Sequence, residues 1–480
     1  MTLAFRGKCP DDEHAPGQYR AFFGSMRITT KKGLDIPIAG VPEPTVQAGG
    51  PVRSVAVLGD DHVGLKPRMM VQVGDRVTLG QPLFTDKRDP EVMYTAPGSG
   101  TVAAINRGVR RILQSVVIEL DESGDELHRF ADLSDADPAT VVQNDIRLAL
   151  FNSGLWTAFR TRPYNKVPQS DSRPRSIFVT AIDTRPLAAD PDIVVAAHRQ
   201  AFALGLQLIA RLTEGHVYLC TGSEWNGPQG DGEQIRHVEF TGPHPAGLPG
   251  THIHHLEPVG ANRTVWHVGY QDVIAVGKLF SEGRIWVERT VALGGAGFER
   301  PRLVTTRVGA NIEELIAGEL KHGGAAARPT RLISGSVLTG RTAAGPEAYL
   351  GRYHLQISAI PDEGQRRLFG WLGLLFRRYR FAGLFRHRQD HSRLLPFSTS
   401  QHGRPTALVP VDAFERVMPL SILPTPLLRA LLIKDTDQAQ ALGCLELDTE
   451  DLALCSFVCP GKNNYGEALR LNLEQIEREG

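Results

Sequence analysis

Val71-Gln72-Val73-Gly74-Asp75-Arg76-Val77-Thr78-Leu79-Gly80-Gln81-Pro82-Leu83-Phe84, followed by Tyr94-Thr95-Ala96-Pro97-Gly98-Ser99-Gly100-Thr101-Val102, decides how this chain is read. Apolar residues alternate at period two, and Gly-Asp and Gly-Ser-Gly supply turns. That pattern predicts short half-buried strands joined by hairpins. Strand patterns dominate from Arg27 to about Glu119 and end in Ser115-Val116-Val117-Ile118-Glu119-Leu120. A β-rich domain over 26–130 follows. Residues 121–140 are acidic and polar and read as a linker.

Between the two runs lies Asp86-Lys87-Arg88-Asp89-Pro90-Glu91. The pair resembles the halves of a lipoyl- or biotinyl-carrier sandwich, in which a lysine on the joining hairpin carries the prosthetic group. The resemblance implies either that Lys87 is modified or that the fold serves as scaffold. No methionine borders Lys87 and Pro90 reshapes the tip, which favours the scaffold. A carrier component modified at Lys87 stands as the alternative.

Outward from this core the chain reads as an α/β multidomain protein. Residues 1–25, with Cys9-Pro10-Asp11-Asp12-Glu13-His14, lack periodicity and read as a disordered leader, with Met26 as a candidate start. Over 140–285, Ser176-Ile177-Phe178-Val179-Thr180-Ala181 and His216-Val217-Tyr218-Leu219-Cys220 read as buried parallel strands. Between them, Ile193 to Leu212 reads as one helix, with Val194, Ala197, Ala201, Leu204 and Leu208 on one face. This β-α-β order argues a Rossmann-like domain.

Over 286–345, strands at Trp286–Ala292 and Arg331–Leu338 enclose a short helix. Asn311 is its predicted cap, with Glu314 completing the box ahead of Leu315. Strands around one short helix suggest a β-grasp unit. Residues 346–404 hold a basic, aromatic segment. Over 405–480 the pattern turns helical, at Leu427 to Ile433 behind Pro424 and Pro426 and again at Tyr465 to Glu479.

The bulk numbers set bounds. At 480 residues the chain can bury several cores, and 49 glycines with 32 prolines suit a hairpin-rich α/β chain. Its 53 basic and 53 acidic residues leave no charge excess, so nucleic acid is not an expected partner. Five scattered cysteines predict reduced thiols and a cytosolic address. No apolar run approaches the ~20 residues of a membrane span. No apolar h-region of a signal peptide opens the chain. A soluble protein is expected.

Several motifs carry weaker chemistry. Cys455-Ser456-Phe457-Val458-Cys459-Pro460 is similar to the end of a ferredoxin cysteine run, but Leu452, Ala453 and Leu454 precede it where further thiolates are needed. Buried thiols are expected. His244, His252, His254 and His255 cluster in a glycine-rich stretch read as a loop rimming a cleft. His252 and His254 would share a strand face with no third ligand fixed, so no metal is assigned. Neither a P-loop nor a G-x-G-x-x-G between strand and helix is present. Gly294-Gly295-Ala296-Gly297-Phe298 reads as a hairpin turn between two β-grasp strands.

Two segments could line a small-molecule cleft. Leu58-Gly59-Asp60-Asp61-His62-Val63-Gly64-Leu65 offers glycines, apolar walls and titratable groups. Trp156-Thr157-Ala158-Phe159-Arg160-Thr161-Arg162-Pro163-Tyr164-Asn165-Lys166 joins aromatic faces to cations. A planar ring such as a quinone wants apolar walls and a few oriented donors. The candidate contacts are Leu58, Gly59, His62, Gly64, Leu65, Trp156, Phe159, Arg160, Arg162, Tyr164 and Lys166. The bland alternative is a packed loop whose arginines meet carboxylates. Residues 366–393 hold eight arginines against Asp390 alone. Interleaved with Trp371, Phe376 and other apolar residues, Arg377, Arg378 and Arg380 suit anionic lipid or a membrane partner.

Longer runs carry a specific resemblance. They are Lys31-Lys32-Gly33-Leu34-Asp35-Ile36-Pro37-Ile38-Ala39-Gly40, Ile105-Asn106-Arg107-Gly108, Gln114 to Glu119, and Ser153-Gly154-Leu155-Trp156 through Pro163. Gly242-Pro243-His244-Pro245-Ala246-Gly247, Tyr270 to Gly277, Tyr349-Leu350-Gly351-Arg352-Tyr353-His354-Leu355-Gln356 and Asp451 to Lys462 continue it. Together, from Met26 onward, they resemble the NqrA family, one of the subunit families of the bacterial sodium-translocating NADH–quinone reductase.

The resemblance implies a peripheral subunit on the cytoplasmic face of the bacterial inner membrane, associated with ubiquinone and with subunits B to F. NADH, flavins and Fe–S centres then belong to those other subunits. No catalytic residue and no bound cofactor are assigned to this chain. The family is also similar to flavin- and cluster-carrying subunits of related complexes, whose glycine loop admits the flavin. Here Trp156 and Arg160 would fill that space, and the third domain would be SLBB-like.

Overall fold

The structure is a computed structural model and describes residues 26–126, 141–230, 232–321, 329–363, 394–401, 403–409 and 412–479. The leader 1–25, residues 127–140 and the segment with Trp371, Phe376, Arg377, Arg378 and Arg380 lie outside the described residues.

The opening stretch folds as alternation requires. An antiparallel sheet runs Ser54–Leu58, Leu113–Leu120, Gly100–Arg107 and Arg76–Val77. A second runs Pro67–Met69, Pro82–Asp86 and Asp89–Thr95. Val55, Val77, Leu83, Tyr94, Val102, Val116 and Ile118 lie in one core, as inward positions of a half-buried sheet must. At the Gly-Asp turn, Gly74 takes φ +94° and Asp75 accepts from the Gln72 amide at 2.9 Å.

The α/β sheet runs Met26–Thr29, Ile235–Thr241, Val217–Thr221, Ile177–Ala181, Val265–Gly269 and Arg160–Arg162. All neighbours are parallel except the antiparallel edge strand Arg160–Arg162. Ile177–Ala181 and Val217–Thr221 are buried throughout, as parallel strands covered on both faces should be.

The helix read as continuous from Ile193 to Leu212 is two, Pro191–Ala197 and Arg199–Ala210, meeting at 99°. His198 breaks it with non-helical φ −133° and ψ 30°, its ring set against Trp286 at 5.0 Å. The bend lets the second half cross Tyr270–Glu282 closely: a Cβ on Gly277 would stand 1.8 Å from the Ala201 carbonyl oxygen. Apolar spacing could not show this, because both halves bury the same kind of face.

A fourth sheet runs Arg341–Thr342, Thr330–Ser334, Gln356–Pro361, Glu288–Gly294, Arg302–Arg307 and Glu43–Ala48. Glu288–Gly294 and Arg302–Arg307 form a hairpin around the Gly-Gly-Ala-Gly-Phe stretch. The short helix is Ile312–Leu315, capped by Asn311 through the amides of Glu313 and Glu314. Glu314 does not close the box. Its carboxylate accepts from the Arg53 amide at 2.6 Å and the Ser54 hydroxyl at 2.9 Å, joining this unit to the first sheet.

The C-terminal helices include Pro424–Ile433, Ala453–Val458 and Tyr465–Glu479, packed around Phe414, Leu427, Leu431, Leu452 and Leu469. Two early strands pair far from their neighbours in sequence. Met26–Thr29 edges the α/β sheet beside Ile235–Thr241, and Glu43–Ala48 edges the fourth sheet beside Arg302–Arg307. Among the described residues no single helix is long and apolar enough to cross a membrane.

Candidate functional site

The strand Ser54–Leu58 ends in a single 3-10 turn, Gly59–Asp61, which delivers two titratable side chains into a domain junction. Gly59 is required there, because a Cβ would stand 2.0 Å from the Leu113 carbonyl oxygen. Asp61 accepts from Arg341 Nη1 at 3.0 Å and from the Arg352 amide at 2.7 Å. Burial would raise its carboxyl, but Arg341, then His354 and His62, hold it below the usual range. His62 lies edge-on to Tyr94 at 4.8 Å and 3.4 Å from the Tyr353 hydroxyl. Burial, opposed by Asp61 and reinforced by Arg352 and Arg160, pushes its pKa down to about 4. His62 is therefore neutral near pH 7 and presents one donor and one acceptor.

The second predicted segment arrives opposite. Tyr353 donates to the Thr157 carbonyl at 2.7 Å, and Arg160 lies over the Tyr353 ring at 4.4 Å. Tyr353 thus bridges the two segments. On one side of it is a slot of about 70 Å³ walled by Leu58, Tyr94, Leu155, Ile285, Trp286, Val287 and Leu350, with His62, Arg289 and Arg352 as polar members. Arg289 and Arg352 both reach Asp272, at 2.6 and 2.9 Å, so the cations at the slot are anchored.

On the other side is a cavity of about 300 Å³ lined by Asp61, Arg160, Arg185, Arg341, Asp448, Glu450 and Glu477 among others. Its ionic wall is the seam with the C-terminal helices. Arg185 pairs with Asp183 and Glu450. Arg162 is fully buried and donates to Asn165 at 2.8 Å and to His267 at 3.0 Å. Its Nη2 stands 3.7, 3.7 and 4.0 Å from Asp448, Glu450 and Asp451. Burial would raise Glu450, yet Arg185, Arg160 and Arg162 hold it low. Asp451 is pushed up by burial and by the neighbouring Glu450, against Arg162. This cavity suits polar groups. An apolar ring belongs on the slot side.

The predicted contacts divide accordingly. Leu58 and His62 line the slot, while Arg160, Tyr164 and Lys166 line the polar cavity. Leu65 joins His62 and Lys166 in a smaller recess. Gly64, at φ +72°, lies beneath the Lys166 amine, which pairs with Glu477 at 2.5 Å. Gly59 supports the turn. Trp156, Phe159 and Arg162 are buried at 0 % exposure and line none of the three cavities described. Trp156 sits edge-on to Phe151 and Trp266 at 4.6 and 5.1 Å, and its Nε1 donates to Pro168 at 2.8 Å. Sequence reading missed Tyr353, Arg352, Trp286 and Leu350. The run Leu350-Gly351-Arg352-Tyr353 holds an apolar, a cationic and a phenolic side chain, the signal that could have found them.

The histidine stretch stays a turn over 242–248, with His244, and then becomes a helix, Pro249–Leu256, which carries His252, His254 and His255 in place of the expected loop. Helical geometry turns His252 and His254 about 200° apart, so they share no face. Each imidazole has its own partner: His244 with Thr184, His252 with the Ala246 carbonyl, His254 with Glu446 and His255 with the Thr251 carbonyl. Among the described residues no group of three or more metal-ligating side chains forms. Cys444, Cys455 and Cys459 are buried free thiols, with Cys459 Sγ 3.2 Å from the Tyr465 hydroxyl.

Fold and site define a multidomain α/β protein in which three β-containing units and a helical end meet at one apolar and one ionic junction. Its sequence matches three family models: an NqrA N-terminal barrel-sandwich hybrid domain over residues 28–121, an NqrA second alpha/beta domain over 141–285 and an NQRA C-terminal domain over 290–345. The NqrA subunit of the Na(+)-translocating NADH-quinone reductase of Pseudomonas aeruginosa UCBPP-PA14 is 55% identical, over 94% of this chain and 100% of its own length. Its counterparts in Cellvibrio japonicus and Rhodopirellula baltica are 51% and 49% identical, over 94% of this chain and 100% and 98% of theirs. The chain belongs to the NqrA family of Na(+)-translocating NADH-quinone reductase subunits. A solved NAD+-reducing [NiFe]-hydrogenase in the H2-reduced state aligns at TM-score 0.36 and 11% identity over 48% of each chain, too slight a likeness to bear on the argument.

Proposed function

We propose that this chain is a peripheral subunit of a sodium-pumping NADH:ubiquinone reductase, seated on the cytoplasmic face of the bacterial inner membrane beside subunits B to F. It contacts ubiquinone through the apolar slot and holds no flavin, Fe–S cluster or NADH site of its own. Its three β-containing units serve as a carrier-like sandwich, a Rossmann-like layer and a β-grasp, SLBB-like unit. The observation that carries the quinone reading is the slot itself. Leu58, Leu155, Trp286 and Leu350 give apolar walls, while neutral His62 and the anchored Arg352 supply donors suited to a carbonyl oxygen. Its size admits one edge of a quinone ring, so the contact is with the headgroup rim.

Titration of the purified chain with a short-chain quinone is expected to quench indole fluorescence saturably, and Trp286→Phe to remove most of that change. No saturation up to the quinone's solubility would leave only a role in assembly. A second reading, a lipoyl or biotinyl carrier, is favoured by one observation. Lys87 is exposed on a two-residue turn closed by the Asp86–Asp89 pair. Intact mass decides it, an adduct on Lys87 supporting the carrier and the bare polypeptide mass removing it.

A further inference from the structure

The hairpin joining Gly100–Arg107 to Leu113–Leu120 ends in an unusual tip, Arg107-Gly108-Val109-Arg110-Arg111-Ile112. Val109 is 84 % exposed and Ile112 59 %, the first being the most exposed large apolar side chain among the described residues. The tip is nonetheless an ordered turn. The Gly108 amide donates to the Ile112 carbonyl at 2.8 Å, and Arg107 Nη1 donates to the Arg111 carbonyl at 3.2 Å. Arg110 and Arg111 both adopt left-handed backbone, φ 55° and 61°. Such positions favour glycine or asparagine. Arginines stand there against that preference, and none of the three forms an ion pair with a carboxylate among the described residues.

Two exposed apolar side chains at this hairpin tip, beside three guanidinium groups with no carboxylate partner among the described residues, form an apolar and cationic surface. A protein partner would need an acidic groove shaped to receive it. A fluid, negatively charged interface needs no shaping: apolar side chains enter the acyl boundary while cations stay at the phosphates. We propose that this tip is an anionic-lipid-contacting finger, with Val109 and Ile112 entering the headgroup region and Arg107, Arg110 and Arg111 pairing with lipid phosphates. It is distinct in sequence from the basic stretch around Arg377, which lies outside the described residues, and a readout local to the tip tells the two apart.

The test places an environment-sensitive fluorophore on Val109→Cys in the full chain with Cys9→Ser, since the described native cysteines are buried. Vesicles containing phosphatidylglycerol are expected to shift its emission to the blue and protect it from an aqueous quencher, while pure phosphatidylcholine vesicles leave it unchanged. A control probe on Leu423→Cys, 64 % exposed on the C-terminal helices, should stay in water. Arg110→Glu with Arg111→Glu should weaken the vesicle titration at least about 25-fold, from about fivefold for each cation at an anionic surface, and high salt should weaken it too. An unshifted probe with anionic vesicles overturns the proposal. So does an equal shift with both lipids, or a shift that appears only when the other subunits are added, which would assign the tip to a protein partner.

Discussion

The two junctions flanking Tyr353 solve the same problem with opposite chemistry. At the seam with the C-terminal helices, Arg162, Arg185, Asp448, Glu450 and Asp451 fill the contact with charge. At the slot, apolar walls leave space, and the cations beside it are tied back to Asp272. A buried charge is tolerated only with its partners in place, so the seam permits few arrangements. An apolar wall is indifferent to small shifts and to what fills it. The seam holds the molecule in one geometry, and the slot is where another molecule can come in.

Removing one charge should break that contrast most sharply. Arg162→Met takes the central guanidinium away from three buried carboxylates and should cost about 3–5 kcal/mol in urea unfolding. Adding Glu450→Gln and Asp451→Asn should return part of it, and a loss within error for the single change would mean the seam is better hydrated than its burial implies. Next is Gly277→Ala, whose Cβ meets the Ala201 carbonyl and must displace the helix carrying Asp272. About 1–3 kcal/mol is expected, with quinone affinity falling as the slot's cations move.

Acid should act through the buried imidazoles. His62 is held down to about 4, and His244 and His252 to about 3, each by burial first. Below an unfolded value near 6.5 the unfolded chain takes up protons that the native one refuses, so stability falls as pH drops from about 6.5 towards 4. About 1–2 kcal/mol per imidazole should be lost between pH 7 and 5. Urea midpoints at pH 7, 6 and 5 read it, and His62→Phe should flatten the slope. Val287→Phe, at the half-buried slot wall, should change stability by less than about 1 kcal/mol while lowering quinone affinity at least tenfold. Unaltered affinity would move the ring elsewhere.

What the sequence made legible depended on locality. Val77, Leu83, Tyr94 and Val102 announce a half-buried sheet because alternation is written within a few residues. Asn311 announces a cap for the same reason. His198 does not announce a bend, since the interruption comes from fitting Arg199–Ala210 against Gly277 far along the chain. In the candidate site, the segments around His62 and Arg160 were both found from composition, but the residue that joins them, Tyr353, comes from another part of the chain. Trp156 and Phe159 show the converse. Aromatic rings beside arginines resemble a ligand wall in sequence, and only three-dimensional packing reveals a core.

The pairing of Met26–Thr29 with Ile235–Thr241 and of Glu43–Ala48 with Arg302–Arg307 bears on how the polypeptide emerges from the ribosome. Segments translated first must wait, unpartnered, for roughly two hundred and roughly two hundred and fifty residues respectively before their acceptors exist, so neither downstream sheet can be finished until then. A piece excised at 141–285 would bare the border of Ile235–Thr241 and is expected to aggregate.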